Sequence, residues 1–311
     1  MTKKLNKRKM TANDWQVLSL ACLGLIFVIM FVYIPMSGLV LAFKDGDKKY
    51  DILGVIFHDG FVGLENFRKI FDDYNFVNVL VNTIGLNLIC LVVLFPMPIL
   101  FALMLNEIFH AKYKGAVQTI CILPNFLSWM VFGGICLGMM DMTSGIINPV
   151  LEILGLSSPD NPVNLGEPQY FWATMVITSM IKGTGWGSII YTAAIAGISM
   201  EMYEAADIEG VNRWQAIRYI TLPSIAPTIT VFLLLNISGL LNNSFEHVYV
   251  FQNAINLERG EVLATYSWKL GISARKYSFT TALGLLQSIV SVILLTVGNF
   301  TSKKIAGRGL F

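Results

Sequence analysis

The sequence predicts an all-α, polytopic membrane protein with six transmembrane helices. Three observations lead there. Hydrophobic residues make up 55% of the 311 residues and charged residues only 14%, far below the roughly 25% charge of a soluble domain. The mean hydropathy is +0.63. Six stretches then run long enough to cross about 30 Å of hydrocarbon, which takes about 20 apolar residues in a helix. A bilayer leaves only helices or closed barrels as spanning structures, and these lengths fit helices.

The stretches are 17–43, 74–106, 115–140, 170–200, 222–245 and 277–302. The first is too long for a signal-peptide core and lacks an A-x-A site, so it reads as a retained helix. Pro35, Pro96 and Pro98 fall inside stretches, where proline frees a carbonyl and kinks the helix. Either the kink serves packing or it lines a pathway. The fourth stretch carries one charge, Lys182. An intramembrane lysine marks a functional site by default; the alternative is an internal partner, a carboxylate or a helix-end carbonyl. Asn78, Asn82 and Asn87 polarise the second stretch, which suits interhelical hydrogen bonds. Gly183, Gly185 and Gly187 suit close helix packing.

Orientation follows from lysine and arginine. With the N-terminus inside, the inner segments hold 12 basic against 6 acidic residues, and the outer segments 9 against 14. Loop 141–169 has no lysine or arginine. Both termini are therefore expected in the cytoplasm and the chain in the plasma membrane. The expected division is 1–73 (tail, first helix, outer loop), 74–302 (membrane core, with a cytoplasmic loop at 199–223) and 303–311 (tail).

Absences narrow the chemistry. There is no G-x-x-x-x-G-K-[ST] sequence to cradle ATP, and no HExxH, CxxC or nucleophile elbow. Cys22, Cys90, Cys121 and Cys136 lie in apolar runs and read as small hydrophobes. No basic stripe suits nucleic acid. The chain is thus expected to be no enzyme and to bind no cofactor or metal.

Segment 199–224 stands apart. Met200 to Glu209 has good helix formers and an acidic first turn, which suits the helix dipole. Gly210 can close that helix in a left-handed conformation. Val211, Trp214, Ile217 and Ile220 keep helical spacing, and Pro223 is expected to set the boundary into the fifth stretch. Two short helices joined at Gly210 follow. Glu204 stands beside the small Ala205 and Ala206, which allow close approach of another surface.

The run Glu204-Ala-Ala, Gly210, Ile220, Leu222-Pro223 resembles in full the EAA motif of binding-protein-dependent ABC importer permeases. That resemblance implies a coupling helix between helices 4 and 5, with Glu204, Ala205, Ala206 and Gly210 as the surface that docks into an ATPase subunit. Gly63-Leu-Glu-Asn-Phe67, Asn82-Thr83, Leu123-Pro124, Lys182-Gly-Thr-Gly-Trp186 and Tyr191-Thr-Ala-Ala-Ile195 resemble the sugar-permease branch of the maltose-transporter type. Asn242-Asn-Ser-Phe-Glu246 and Thr265-Tyr-Ser-Trp-Lys-Leu-Gly271 resemble its complex-oligosaccharide and polysaccharide subgroup, although that subgroup more often has Asn-Gly-Phe-Glu-Gln where His247 stands here.

The family implies a second homologous permease, two ATP-binding-cassette ATPases that use ATP and Mg, an extracellular solute-binding (lipo)protein and a carbohydrate cargo. Candidate pathway residues are Lys182, Trp186, Tyr191, Asn242, Asn243, Glu246 and Tyr249. Of these, Trp186 is expected to share the helix face of Lys182 and Tyr191 is not. The last four read equally as a polar helix end with an interfacial ring. A peptide or phosphodiester permease is the alternative within transport. A secondary transporter would call for inverted repeats and intramembrane acids, neither of which is evident.

Overall fold

A computed structural model describes residues 11–47, 52–58, 60–158 and 160–306. The described residues are helical throughout, apart from turns and two isolated bridges. Among the described residues, four helices are long and apolar enough to cross a membrane. They are α1 (Asn13–Phe43), α4 (Phe76–Asn106), α10 (Arg213–Ser238) and α14, whose apolar span is Tyr277–Lys304. A fifth candidate is the bent pair α5 (Ala111–Phe126) and α6 (Trp129–Met140), which meet at 99°. The shorter helices are α2 (Ile52–His58), α3 (Glu65–Asp72), α7 (Ile147–Ile153), α9 (Met200–Ile208), α11 (Phe245–Phe251), α12 (Leu257–Gly260) and α13 (Leu263–Trp268). Helix α8 (Pro168–Ala196) has 29 residues, about 43 Å at 1.5 Å per residue. It is not among the apolar candidates. The count that the structure supports by length and composition is therefore four or five helices, where the sequence predicts six.

The chain forms two compact units, Met1–Ile70 with Leu270–Leu285, and Phe71–Lys269 with Leu286–Phe311. In the first unit, the most apolar window of α1 has no buried residue, as expected of a helix solvated by lipid on all sides. Beyond it, Asn66 of the GLENF segment donates to Ala42 O (3.0 Å) and Lys44 O (2.9 Å). Lys44 Nζ donates to Ile56 O at 2.6 Å. The Asp47 carboxylate accepts from the amides of Ser278 (2.9 Å) and Phe279 (3.3 Å). It caps the start of α14, where the helix leaves donors unpaired.

The second unit is built around α8, which packs on α4, α5, α10, α11 and α12. Glycine permits the closest of these approaches. A Cβ on Gly185 would lie 2.1 Å from Cys121 O of α5, and one on Gly187 3.0 Å from Pro98 of α4. Gly183 faces open space, so two of the three alternating glycines serve packing. Two buried clusters flank α8. One joins Leu86, Phe171, Met175, Val248, Phe251 and Val262. The other joins Ile99, Ala102, Leu103, Tyr191, Ile195 and Ile225. Among apolar helices in lipid, close van der Waals contact of this kind holds the bundle together.

Two expected boundaries move. The fifth helix starts at Arg213 and ends at Ser238, where 222–245 is predicted. Pro223 does not set its start. Residues Ile217–Thr221 form a π turn, and Leu222 N–H bonds to Ile217 O. That wider turn tolerates the donor that proline lacks, so the second short helix of the loop and the fifth span are one helix. The third stretch is broken by the 3-10 turn Leu123–Phe126 and is not a straight rod.

Asp141 ends α6. Its carboxylate accepts from the amides and hydroxyls of Thr143 and Ser144. Those four donors hold it well below the usual carboxylate range.

Candidate functional site

Two features of the second unit bear on function: the loop between α8 and α10, and a cavity walled by α4, α8 and α10.

The loop closes α9 with a Schellman arrangement. Val211 N–H donates to Ala206 O (3.0 Å) and Gly210 N–H to Asp207 O (3.1 Å). Gly210 has φ +75°, the left-handed cap that its sequence position predicts. Asn212 and Gln215 form a reciprocal capping box that starts α10. Tyr203 Oη and Thr221 Oγ1, 2.9 Å apart, tie α9 to the π turn. Neither residue carries a signal in the sequence.

Ala205, Ala206, Gly210 and Ile220 line one cleft of 590 Å³. Glu204 is exposed outside that cleft, and Leu222 packs against the core around Tyr191 and Ile195. Pro223 is exposed. The large apolar side chains here face outward: Ile208 is 89% exposed and Trp214 81%. Arg213 reaches across to Glu107 (3.9 Å) and sits 5.0 Å over the Phe109 ring.

The cavity holds 660 Å³. Trp186 and Tyr191 line it from α8, Phe95 and Pro98 from α4, and Phe232 and Asn236 from α10. Asn87 and Asn242 add amide edges. Pro98 thus lines this cavity and also takes the close approach of Gly187 from α8. Among the described residues, no charged side chain contributes to the lining. Rings and a few amides in a concave, apolar wall make a small-molecule site. The aromatic liners Phe95 and Phe232 escape sequence reasoning, because only the bundle brings three helices together.

The other pathway candidates lie elsewhere. Lys182 lies one helical turn from Trp186, whose ring packs edge-on against Phe126 (6.1 Å). Its ammonium donates to the carbonyls of Pro124 (3.1 Å), Asn125 (3.0 Å) and Leu127, the helix-end partner that is one of its two sequence readings. It lies in the wall of a smaller cavity of 310 Å³, which shares Leu94 and Pro98 with the larger one. Asn243 donates to Asn87 Oδ1 (2.9 Å), and Asn87 to Leu240 O (2.8 Å). Asn82 donates to Glu258 O and Glu261 O, and Asn78 to Glu258 O. These asparagines therefore fasten segments together. Glu246 is exposed on α11, and Tyr249 forms an aromatic group with Phe245 (5.1 Å) and Trp268 (5.4 Å).

Residues 88–307 match the family model described as the inner membrane component of binding-protein-dependent transport systems. The chain is 36% identical to Protein LplB of Bacillus subtilis over 93% of its own length and 88% of that protein. It is 34% identical to the polygalacturonan/rhamnogalacturonan transport system permease YteP of the same organism, with the same coverage. Its fold is similar to a crystal structure of a bacterial ABC transporter involved in the import of the acidic polysaccharide alginate, with a TM-score of 0.84 and 32% identity over 94% of this chain and 96% of that one. With a family model matched across most of its length and relatives of this closeness, the chain belongs to the family of binding-protein-dependent transport system inner membrane components.

Proposed function

We propose that this chain is the permease subunit of an ATP-driven importer for a carbohydrate, an oligosaccharide or polysaccharide fragment delivered by an extracellular solute-binding protein. The cavity carries the proposal. Its rings offer stacking faces and its amides hydrogen-bond to hydroxyls, and it has no charged side chain. Leaving an ionised carboxylate there without a partner would cost several kcal/mol, so this wall suits an uncharged or weakly charged sugar. The similarity to polysaccharide importers supports a carbohydrate cargo, although the importer of similar structure takes an acidic polysaccharide.

The assembly follows from the family. A second permease completes the pathway, and two ATPase subunits bind ATP and Mg, so that this chain holds no cofactor. The loop of α9 and Gly210 docks into one ATPase, with Glu204, Ala205, Ala206 and Gly210 as the contact and Ile220, Leu222 and Pro223 as its root. Helix α8 serves as the sixth span. Its polar residues are tolerable because protein, not lipid, surrounds most of it. The basic bias of the inner segments supports cytoplasmic termini and a place in the plasma membrane.

Co-expression with the binding protein, partner permease and ATPase, followed by reconstitution into proteoliposomes, tests the reading. Uptake of labelled oligosaccharide is expected to need both ATP and the binding protein. Trp186→Ala, which removes the most exposed ring of the cavity, is expected to reduce it five- to tenfold, corresponding to about 1–1.4 kcal/mol. Uptake of a peptide or phosphodiester but no sugar would overturn the cargo class. Uptake without ATP would overturn the mechanism.

A further inference from the structure

We infer that Lys182 is a positioning residue: its ammonium holds the 99° bend between α5 and α6 in place and takes no part in binding the cargo. The inference rests on the permease reading.

At the bend α-helical bonding gives way to the 3-10 turn Leu123–Phe126, closed by Leu127 N–H on Pro124 O (3.3 Å). Carbonyls there need donors, since lipid supplies none. An ammonium has three N–H donors and no acceptor. Lys182 directs all three at the bend, to Pro124 O, Asn125 O and Leu127 O. The side chain is 6% exposed. Asn125 Nδ2 returns a long hydrogen bond to Lys182 O at 3.4 Å. The rings of Trp129 and Phe132, at the start of α6, lie 5.1 and 5.8 Å from the charge, within reach of cation–π attraction. A cargo hydroxyl or carboxylate would therefore have to displace a backbone carbonyl to reach this lysine.

Lys182 acts with two neighbours on one face of α8. Thr178, Lys182 and Gly185 are spaced four and three apart, so they line up along the helix. Gly185 lets α8 press on the carbonyl of Cys121, just before the bend. Thr178 Oγ1 lies 2.9 Å from His247 Nε2. Thr178 Oγ1 also lies 2.7 Å from Thr174 O. The His247 imidazole stacks on Trp129 at 3.8 Å. Three successive turns of α8 thus fix the end of α5, the bend and the first turn of α6.

The test uses the reconstituted complex with Lys182→Met, Lys182→Arg and Lys182→Gln. Initial uptake rates are measured against cargo concentration for a neutral and a uronic-acid oligosaccharide. For Lys182→Met the maximal rate is expected to fall more than tenfold for both cargos, with the half-saturating concentration within twofold of wild type. Lys182→Arg keeps N–H donors at the bend and is expected to retain at least a third of the rate. Lys182→Gln, shorter and with two donors, is expected to fall between Arg and Met. A changed half-saturating concentration, or a changed ratio of neutral to acidic uptake, in any assembled variant would place Lys182 against the cargo and overturn the inference. Wild-type rates in Lys182→Met would also overturn it. If Lys182→Met does not assemble, the Arg and Gln variants decide by the same criteria. A wild-type complex that moves no carbohydrate would instead refute the permease reading.

Discussion

Gly210→Val is expected to abolish ATP-driven uptake while the chain still inserts and pairs with its partner permease. Gly210 sits at φ +75°, where a side chain meets the carbonyl oxygen at a cost on the order of 1–2 kcal/mol. Valine, branched at Cβ, is among the worst occupants. The two Schellman bonds from Gly210 and Val211 set the direction in which the chain leaves α9. Without them the cleft lined by Ala205, Ala206 and Ile220 loses its shape. The bundle itself does not depend on that turn, since α8 and α10 meet each other directly. Gly210→Asn is the control, because asparagine accepts the left-handed conformation, and it is expected to keep most of the activity. Glu204→Trp, at an exposed position that leaves the fold alone, is expected to give the same loss by blocking the docking face. Uptake, ATP hydrolysis and retention of the ATPase on affinity-purified complexes are the readouts. Normal transport by Gly210→Val or Glu204→Trp with a working ATPase would remove the docking role assigned to this loop.

Gly185→Val is expected to collapse the yield of assembled protein. The new Cβ would sit 2.1 Å from the Cys121 carbonyl oxygen, and the obstacle is backbone, which cannot rotate aside. Overpacking of a well-filled interior costs about 1–3 kcal/mol, and contact of helix against helix places this case at the upper end. The displaced helix would also draw Lys182 away from its three carbonyls. Gly183→Ala, two residues away but facing open space, is the matched control. It is expected to be neutral or to stabilise by up to about 1 kcal/mol, the difference between glycine and alanine in a helix. Monodisperse yield in detergent and the midpoint of thermal unfolding distinguish the two. Equal behaviour of the two variants would mean that α8 does not approach the bend as closely as described.

What the sequence makes legible here is what depends on near neighbours. The cap at Gly210 needs only the residues around it, and its position after ten helix-forming residues is enough to place it. The apolar stretches are equally local. The bend in the third stretch is not, because Pro124 alone is compatible with a mild kink. The donors that make a sharp turn tolerable come from Lys182, more than fifty residues away. Pro223 misleads for a related reason. Read by itself it stops a helix, but the π turn before it absorbs the missing donor. Lys182 and Trp186 share a face by spacing, and both meet the bend, Lys182 through its carbonyls and Trp186 through Phe126, while Trp186 also lines the cavity. For the amides, Asn82 and Asn87 behave as interhelical ties, and Asn243 joins them where a pathway role is also conceivable from sequence.

The polarity of α8 has a consequence for how the protein is made. Glycine, threonine, serine and one lysine leave this helix too weakly lipophilic to leave the insertion machinery alone. As the sixth span proposed above, it would enter the bilayer in the company of segments already synthesised, and α4 and α5, its main neighbours, precede it along the chain. The ribosome thus delivers the shelter before the segment that needs it, and the last helices close around a centre already in place.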